Sequence, residues 1–411
     1  MFKYFISWLI LLCSSSFFLI KGIGKGDRVM DIFGVLLIIF LILLHVVYQG
    51  RGIIKANFRN HILILILASF GSALMAYMFH GQDYSLTLFQ QRSIYFYLFY
   101  FLLHYLLPEP IKLERLIIQF GLVYCLVFLL QTVAYPTLIT ESHVFRDRGT
   151  IRIFLPGENV MILGYLIAFD RIFEKFDWLY FSHLMLSVIV VLLLGTRVML
   201  LALVILSFVN ILINKRVQNK FAVFFLFIGV AFISYLVMKD TISAEIAETQ
   251  KHSSQAQNYI RVKAAEYYLT DFQKGIGSIV LGNGSPNDKS SYGAMVKNVN
   301  NRSGFYLSDI GILGIYVKYG ILFTVVCFII MFQGLFGKLH RDLHYIKYFM
   351  AYLLINMVVS TLPFETSYGI VEICMILYII DCYKDTSKQS LLLQENNNGF
   401  NAEMNEELET A

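Results

Sequence analysis

Charged residues are scarce in this chain, and prolines and cysteines are scarcer still. Asp, Glu, Lys and Arg make up 15% of the 411 residues and hydrophobic residues 57%, which excludes an ordinary soluble domain. All six prolines fall at the edges of apolar runs or in loops, which favours uninterrupted helices. The five cysteines lack paired spacing, so the sequence predicts neither a disulfide framework nor a metal site built on cysteine.

Long apolar runs fill most of the sequence. Each is long enough for a helix to cross a hydrocarbon core of about 30 Å. Backbone groups find no water in lipid, so the runs are expected to be helices, whereas a β-barrel would show short alternating strands. The sequence therefore predicts an all-α polytopic membrane protein with about twelve transmembrane helices, at 4–20, 29–48, 61–79, 88–107, 116–135, 157–173, 178–194, 197–213, 221–238, 307–333, 347–362 and 368–383.

The basic residues predict how these helices are oriented. With a cytoplasmic N-terminus, sixteen Lys and Arg fall in cytoplasmic segments and eight in short outer loops, in keeping with the positive-inside rule. Both termini are then cytoplasmic, and one large loop between helices nine and ten faces outward. The predicted division is 1–238 (helices one to nine), 239–306 (the large periplasmic loop), 307–383 (helices ten to twelve) and 384–411, a polar tail expected to be disordered.

Arginines are concentrated near the predicted outer ends of the helices. Arg148 and Arg152 lie in the loop before the sixth run, and Arg197 lies in a Gly-Thr-Arg turn between two runs. A guanidinium offers a planar fork of donors suited to phosphate oxygens and stays charged. Contact with lipid headgroups is the alternative explanation for each arginine taken alone. Together they indicate an anionic ligand that carries phosphate or pyrophosphate.

The long loop is predicted to contain an amphipathic helix over 258–274. Its apolar residues recur every fourth position, which favours a helix lying against the bundle: Ile260, Ala264, Tyr268 and Phe272. Tyr268 is also a candidate for stacking on a sugar. The glycines that follow, at 275, 277, 282 and 284, are explained by tight turns and close approach of the backbone.

Three parts of the chain resemble the family of O-antigen polymerases and ligases that build bacterial surface polysaccharides. They are the Thr196-Arg197 step that opens an apolar run, the helix that begins at Arg261 and is followed by Gly282-Asn-Gly284, and Asn300-Asn301 followed after nine residues by Gly311-Ile-Leu-Gly314. Ligases of this family have a histidine where this chain has Asn300. The resemblance therefore implies a polymerase.

The resemblance implies transfer of glycan from an undecaprenyl-pyrophosphate-linked donor to a lipid-linked repeat unit, at the outer face of the bacterial inner membrane. Arg197 and Arg261 match family positions that neutralise the pyrophosphate, and Arg148 and Arg152 are substrate-binding candidates by location. The expected partners are the lipid-linked oligosaccharide, membrane lipid, a chain-length regulator and a flippase. Neither nucleic acid, a cofactor nor a metal is expected, and the sequence has no Asp-x-Asp and no Walker loop.

The sequence leaves the general base open. Asn300 can orient an acceptor hydroxyl but cannot take its proton. The candidates are Glu158, before the sixth run, and Asp309, at the start of the tenth; for each, an ion pair or a helix N-terminal charge is the alternative. Two other functions also stay open. One is a ligase that transfers glycan to lipid A core, and the other is a non-enzymatic polysaccharide or lipid transporter, although neither an internal repeat nor paired broken helices are evident.

Overall fold

The structure, a computed structural model, describes residues 2–22, 27–49, 56–142, 144–147, 150–214, 257–358 and 362–384, with the single positions 217, 220, 229 and 360. In these ranges the chain is mostly helical, and four helices are long and apolar enough to cross a membrane. The chain is therefore an all-α membrane protein. The predicted run 221–238 (Gly229 apart), residues 239–256 and the tail beyond Lys384 lie outside the described residues.

The helices are numbered here in chain order. They are α1 Phe2–Ser14, α2 Asp27–Gln49, α3 Arg59–His80, α4 Tyr84–Gln90, α5 Leu98–Leu106, α6 Pro110–Ala134, α7 Glu158–Arg171, α8 Trp178–Leu194, α9 Arg197–Ile213, α10 Gln257–Leu269, α11 Ile276–Leu281, α12 Ser291–Ser303, α13 Ile312–Phe336, α14 His344–Met357, α15 Leu362–Glu365 and α16, residues 367–384. Short 3-10 helices cover Ser16–Leu19, Arg92–Tyr97, Leu307–Ile310 and Arg341–Leu343. Strands β1 Val144–Asp147 and β2 Thr150–Ile153 form an antiparallel hairpin.

Local sequence signals fix several helix ends. The Asp177 side chain accepts a hydrogen bond from the Leu179 N–H at 2.9 Å and begins α8. The Ser290 hydroxyl does the same for α12. Gly195, in the left-handed region at φ 63, ends α8. Predicted runs 178–194 and 197–213 therefore coincide with α8 and α9 at both ends.

Contacts join segments predicted to be cytoplasmic to one another. The Asn57 side chain donates to Asp381 at 2.8 Å, which joins the start of α3 to the end of α16. The Arg171 guanidinium donates to Glu114 at 2.8 Å, which joins the end of α7 to the start of α6. These helix ends therefore lie at one end of the bundle.

Segments predicted to be outside meet at the other end. The Lys21 N–H donates to the Ile139 carbonyl at 3.0 Å, so the first loop contacts the loop after α6. Arg92 pairs with Asp31 at 3.0 Å, and Asp31 accepts a hydrogen bond from Ser367 at the start of α16. This grouping of loop contacts is the one that the predicted alternation of helices requires.

Helix α16 lies at the centre of the bundle. No residue from Ile370 to Ile380 is more than 2% exposed, so protein covers the helix on every side. A helix that is apolar all round is expected in such a position. The run beside it in space, 88–107, contributes Tyr100, which donates to Asp381 of α16.

Three predicted runs are broken, so the expectation of uninterrupted helices is wrong for them. Run 4–20 consists of α1 and the 3-10 helix Ser16–Leu19, whose residues all have positive φ. Run 88–107 consists of α4, the 3-10 helix and α5. In α13, Gly320 has φ 81 and ψ 176, a conformation that suits glycine. Gly282 of the long loop packs against this break, and a Cβ at Gly282 would lie 2.3 Å from the Lys318 carbonyl oxygen. Prolines mark none of these breaks; in α13 the cause is a close backbone approach that only two glycines allow.

Candidate functional site

The arginine-bearing segments lie at the predicted outer end of the bundle. Arg197 is the first residue of α9, joined to α8 through Gly195 and Thr196. Strand β2, which carries the half-buried Arg152, packs against α6 and α8. The hairpin and the α8–α9 turn therefore share one end of the bundle. Arg148 lies outside the described residues.

Glu158 and Glu372 lie near each other just below this end. Glu158 begins α7 directly after Gly157, which is left-handed at φ 111, and it is half-buried. Glu372, on the central helix α16, is 1% exposed and close enough for its charge to interact with that of Glu158. Its Oε1 has no hydrogen-bond partner among the described residues. Leaving a buried carboxyl oxygen without a hydrogen-bond partner is costly, which is typical of a functional position rather than of a packing one.

Three tyrosines surround Glu158. Tyr124 on α6, Tyr352 on α14 and Tyr368 on α16 all lie close enough to interact electrostatically with its carboxylate. The Tyr352 hydroxyl donates to the Asn159 side chain at 3.3 Å. Four helices thus bring two carboxyl groups and three phenols together within the bundle. We call these five residues the carboxylate site: Glu158, Glu372, Tyr124, Tyr352 and Tyr368.

The long loop carries a second group of predicted site residues. A helix is present at the predicted position as α10, although it ends at Leu269. Of the predicted apolar stripe, Ala264 and Tyr268 are buried, whereas Ile260 is exposed. Tyr268 is 0% exposed, and its hydroxyl donates to the Phe305 carbonyl at 3.0 Å. Burial raises the pKa of Tyr268, so the phenol stays protonated near neutral pH. A ring with no free face cannot stack on a sugar, so in this structure Tyr268 packs the loop.

Asn300 and Asp309 also have local partners. The Asn300 side chain, with its amide nitrogen toward them, donates to the Val296 and Phe305 carbonyls at the end of α12. Asp309, in the 3-10 helix before α13, accepts a hydrogen bond from the Ser308 hydroxyl at 3.3 Å. Asn300 therefore stabilises a helix end, and Asp309 lies in a helix-initiating turn, which was its alternative explanation.

Arg261 is exposed on α10. The loop group reaches the bundle at Gly311, which lies against the Met357 and Val358 carbonyls at the end of α14. The same helix carries Tyr352 of the carboxylate site. The structure thus places Glu158 at the end of the bundle that also holds the segments of Arg152 and Arg197, and places Arg261, Tyr268, Asn300 and Asp309 in the long loop.

Sequence reasoning did not select Glu372. A glutamate within an apolar run is itself a signal, because ionisable residues inside membranes are costly and usually functional. The sequence could not show that this residue lies near Glu158, which is distant from it in the chain.

Among the described residues, no group of three or more His, Cys, Asp or Glu side chains could hold a metal ion. No protein-family model, curated protein or solved structure matches the chain. The carboxylate site, next to the strand that carries Arg152, is the strongest candidate for a functional site among the described residues.

Proposed function

We propose that this chain is a membrane-embedded glycosyltransferase that polymerises surface polysaccharide. The donor is glycan linked to undecaprenyl pyrophosphate, and the acceptor is a lipid-linked repeat unit at the outer face of the bacterial inner membrane. The proposal includes twelve spans, cytoplasmic termini and an outward loop at 239–306. The grouping of loop contacts at two ends of the bundle supports this alternation, and the excess of basic residues supports the assignment of sides.

The observation that carries the proposal is the carboxylate site beside arginine-bearing segments. In the proposed step, the acceptor hydroxyl oxygen attacks the anomeric carbon of the donor, and its proton passes to Glu158. The bond from that carbon to the pyrophosphate oxygen breaks, and the leaving group keeps the electron pair. Arg197 and Arg152 neutralise the charge that develops on the pyrophosphate, while Arg261 approaches from the loop.

The three tyrosines are placed to orient an acceptor hydroxyl toward the Glu158 carboxylate. They occupy three different helices around Glu158, and phenol hydroxyl groups can donate to a carboxylate or to the acceptor sugar. An acceptor hydroxyl held among them would meet Glu158, the more exposed of the two carboxyl groups of the site. Glu158 is therefore ranked ahead of Asp309, which lies in a turn with a serine partner.

Broken helices favour a transporter as the second candidate, because transporters often bind substrate where helices are discontinuous. The break in α13 is filled by the loop, however: the Asn283 and Gly284 N–H groups donate to the Val317 and Lys318 carbonyls at 2.9 and 2.8 Å. Backbone groups freed by the break are satisfied within the protein, which favours a structural break over a transport site.

Purified protein in lipid, supplied only with lipid-linked repeat units, tests the proposal. Chain growth in vitro is expected for the wild type. It should be lost in Glu158→Gln, with donor binding retained. It should be unchanged in Glu141→Gln, which removes an exposed carboxylate from the segment between α6 and α7. Absence of chain growth by the folded wild-type protein would exclude the polymerase.

A deletion strain separates the alternatives. Single-repeat products on the cell surface support the polymerase. Long chains left on the carrier lipid would indicate a ligase, and repeat units that never reach the outer face would indicate a transporter.

A further inference from the structure

Part of the long loop descends beside α3 to the middle of that helix. Helix α3 has 22 residues. At 1.5 Å per residue it is about 33 Å long, so it just crosses a hydrocarbon core of about 30 Å. Gly71 lies nine residues before its last residue, His80, and therefore about 13 Å below that end. The Leu281 side chain of the loop reaches Gly71: its Cδ2 lies 3.0 Å from where a Gly71 Cβ would be.

Neighbouring loop residues lie at similar depth. Gly284 packs against Ser72 and Ala76 of α3, and Gly277 packs against Met75. On the other flank, Asn283 pairs with Val317, which is five residues into α13. Two spanning helices therefore hold residues 277–284 below the predicted outer boundary of the membrane.

The polar groups of this segment are satisfied by protein. The Asn283 side chain donates to the Val317 carbonyl at 3.1 Å and to Gln273 at 3.2 Å, and its Oδ1 lies 3.1 Å from His80 Nε2. The Gln82 side chain donates to the Ser285 carbonyl at 2.8 Å. Irregular backbone at membrane depth is tolerated when its polar groups are paired in this way.

The side of the segment that faces away from the protein is apolar. Ile276 is 80% exposed, and Ile279 and Val280 are 42% and 40% exposed. On α3, Leu74 and Met78 are also exposed, and they belong to the surface by which a spanning helix meets lipid. The two exposed apolar surfaces lie on elements that pack together.

A lysine marks the upper limit of this apolar surface. The Lys274 ammonium group donates to the Phe79 carbonyl at 2.9 Å, next to the last residue of α3. Long basic side chains are typical of the level where a helix leaves the membrane.

We propose that residues 275–285 form a re-entrant segment whose apolar side, made by Ile276, Ile279 and Val280, contacts the acyl chains of the bilayer. The inference does not depend on the enzymatic proposal, because it follows from depth, polar pairing and exposure alone. The large loop is then not wholly outside the membrane: it is anchored in the outer half of the bilayer.

Single-cysteine variants test the re-entrant segment in full-length protein in liposomes. Four native cysteines are buried, and Cys382, which is half-buried, is replaced by alanine. Ile276→Cys and Ile279→Cys report on the segment. Val262→Cys on α10 is the matched control, because it is an exposed, branched apolar residue (65% exposed) of the same loop.

A membrane-impermeant maleimide should modify the two segment cysteines at least about tenfold more slowly than Cys at 262, because the reactive thiolate is disfavoured in lipid. A fluorophore attached at 279 should be quenched by nitroxides on lipid tails, and one at 262 should not. Equal maleimide rates at 262 and 276, or no quenching at 279, would overturn the proposal. If Ile279→Cys does not fold, both measurements are made at 276, whose side chain has few contacts to lose.

Discussion

Replacing Gly282 by alanine should destabilise the protein by about 4–8 kcal/mol, which combines backbone strain with lost hydrogen bonds. Gly282 has φ 82 and ψ −174, and an alanine held there costs about 1–3 kcal/mol. The added Cβ would also lie 2.3 Å from the Lys318 carbonyl oxygen and 2.5 Å from the Gly320 nitrogen. Both are backbone atoms that cannot turn away, so the segments must separate.

Separation would break the two backbone hydrogen bonds that follow Gly282, from Asn283 to Val317 and from Gly284 to Lys318. Each contributes about 1 kcal/mol, and leaving the groups unpaired at this depth adds about 1–3 kcal/mol. Gly304→Ala is the matched control: φ is 69, but the nearest atom to its Cβ would be 3.9 Å away. That variant carries only the left-handed penalty of about 1–2 kcal/mol.

The difference is measured by thermal unfolding of the purified variants, with loss of the monodisperse peak in size-exclusion chromatography as the readout. Gly282→Ala is expected to unfold at a clearly lower temperature than Gly304→Ala, which should be lowered from the wild type only by its left-handed penalty. Equal shifts in the two variants would refute the reasoning, because the contact with α13 would then contribute nothing.

Three further predictions concern a buried ion pair, two arginines and the need for metal. Arg171→Leu leaves the buried Glu114 carboxylate without its ion pair and should cost about 3–5 kcal/mol, whereas Lys112→Leu in an exposed pair should change little; equal melting temperatures would contradict this. Arg197→Ala and Arg261→Ala should each abolish long-chain glycan on gels at normal expression, and lysine should restore little, because a point charge does not reproduce a bidentate fork. Polymerisation in vitro should survive EDTA, since arginines neutralise the leaving group; loss of activity that added metal restores would refute this.

The sequence predicted helices well where apolar length and turn residues decide the outcome. Asp177 and Gly195 set the two ends of α8, through a local hydrogen bond and a left-handed backbone conformation. The limits of this helix can therefore be predicted from residues close by in the chain. The break at Gly320 could not be predicted in this way. It depends on Gly282, which is distant in sequence and approaches only after the loop has folded back.

In the candidate site, too, local signals could be predicted from the sequence and contacts between distant residues could not. Glu158 stood out because it follows the arginine-rich loop and a Pro-Gly pair, both local signals. Its neighbours Glu372 and Tyr352 come from helices made much later, and no periodicity links them to it. Tyr268 was misleading for the opposite reason. An aromatic residue in a polar loop suggests an exposed surface, but the loop has a core of its own that contains this ring.

The central position of α16 has a consequence for how the protein is made. This helix follows every other described helix in the chain, yet residues 370–380 are covered on all sides by helices synthesised earlier. Those helices cannot close around the bundle axis before α16 arrives, or it would find no opening. Co-translational insertion must therefore leave a partly assembled ring of helices in the membrane. In that state, polar groups such as Tyr100 and Glu158 do not yet contact the residues of α16 with which they interact in the folded protein. During that interval the nascent chain is exposed to quality-control proteases, so variants that slow the docking of α16 should lower the yield of protein more than its final stability.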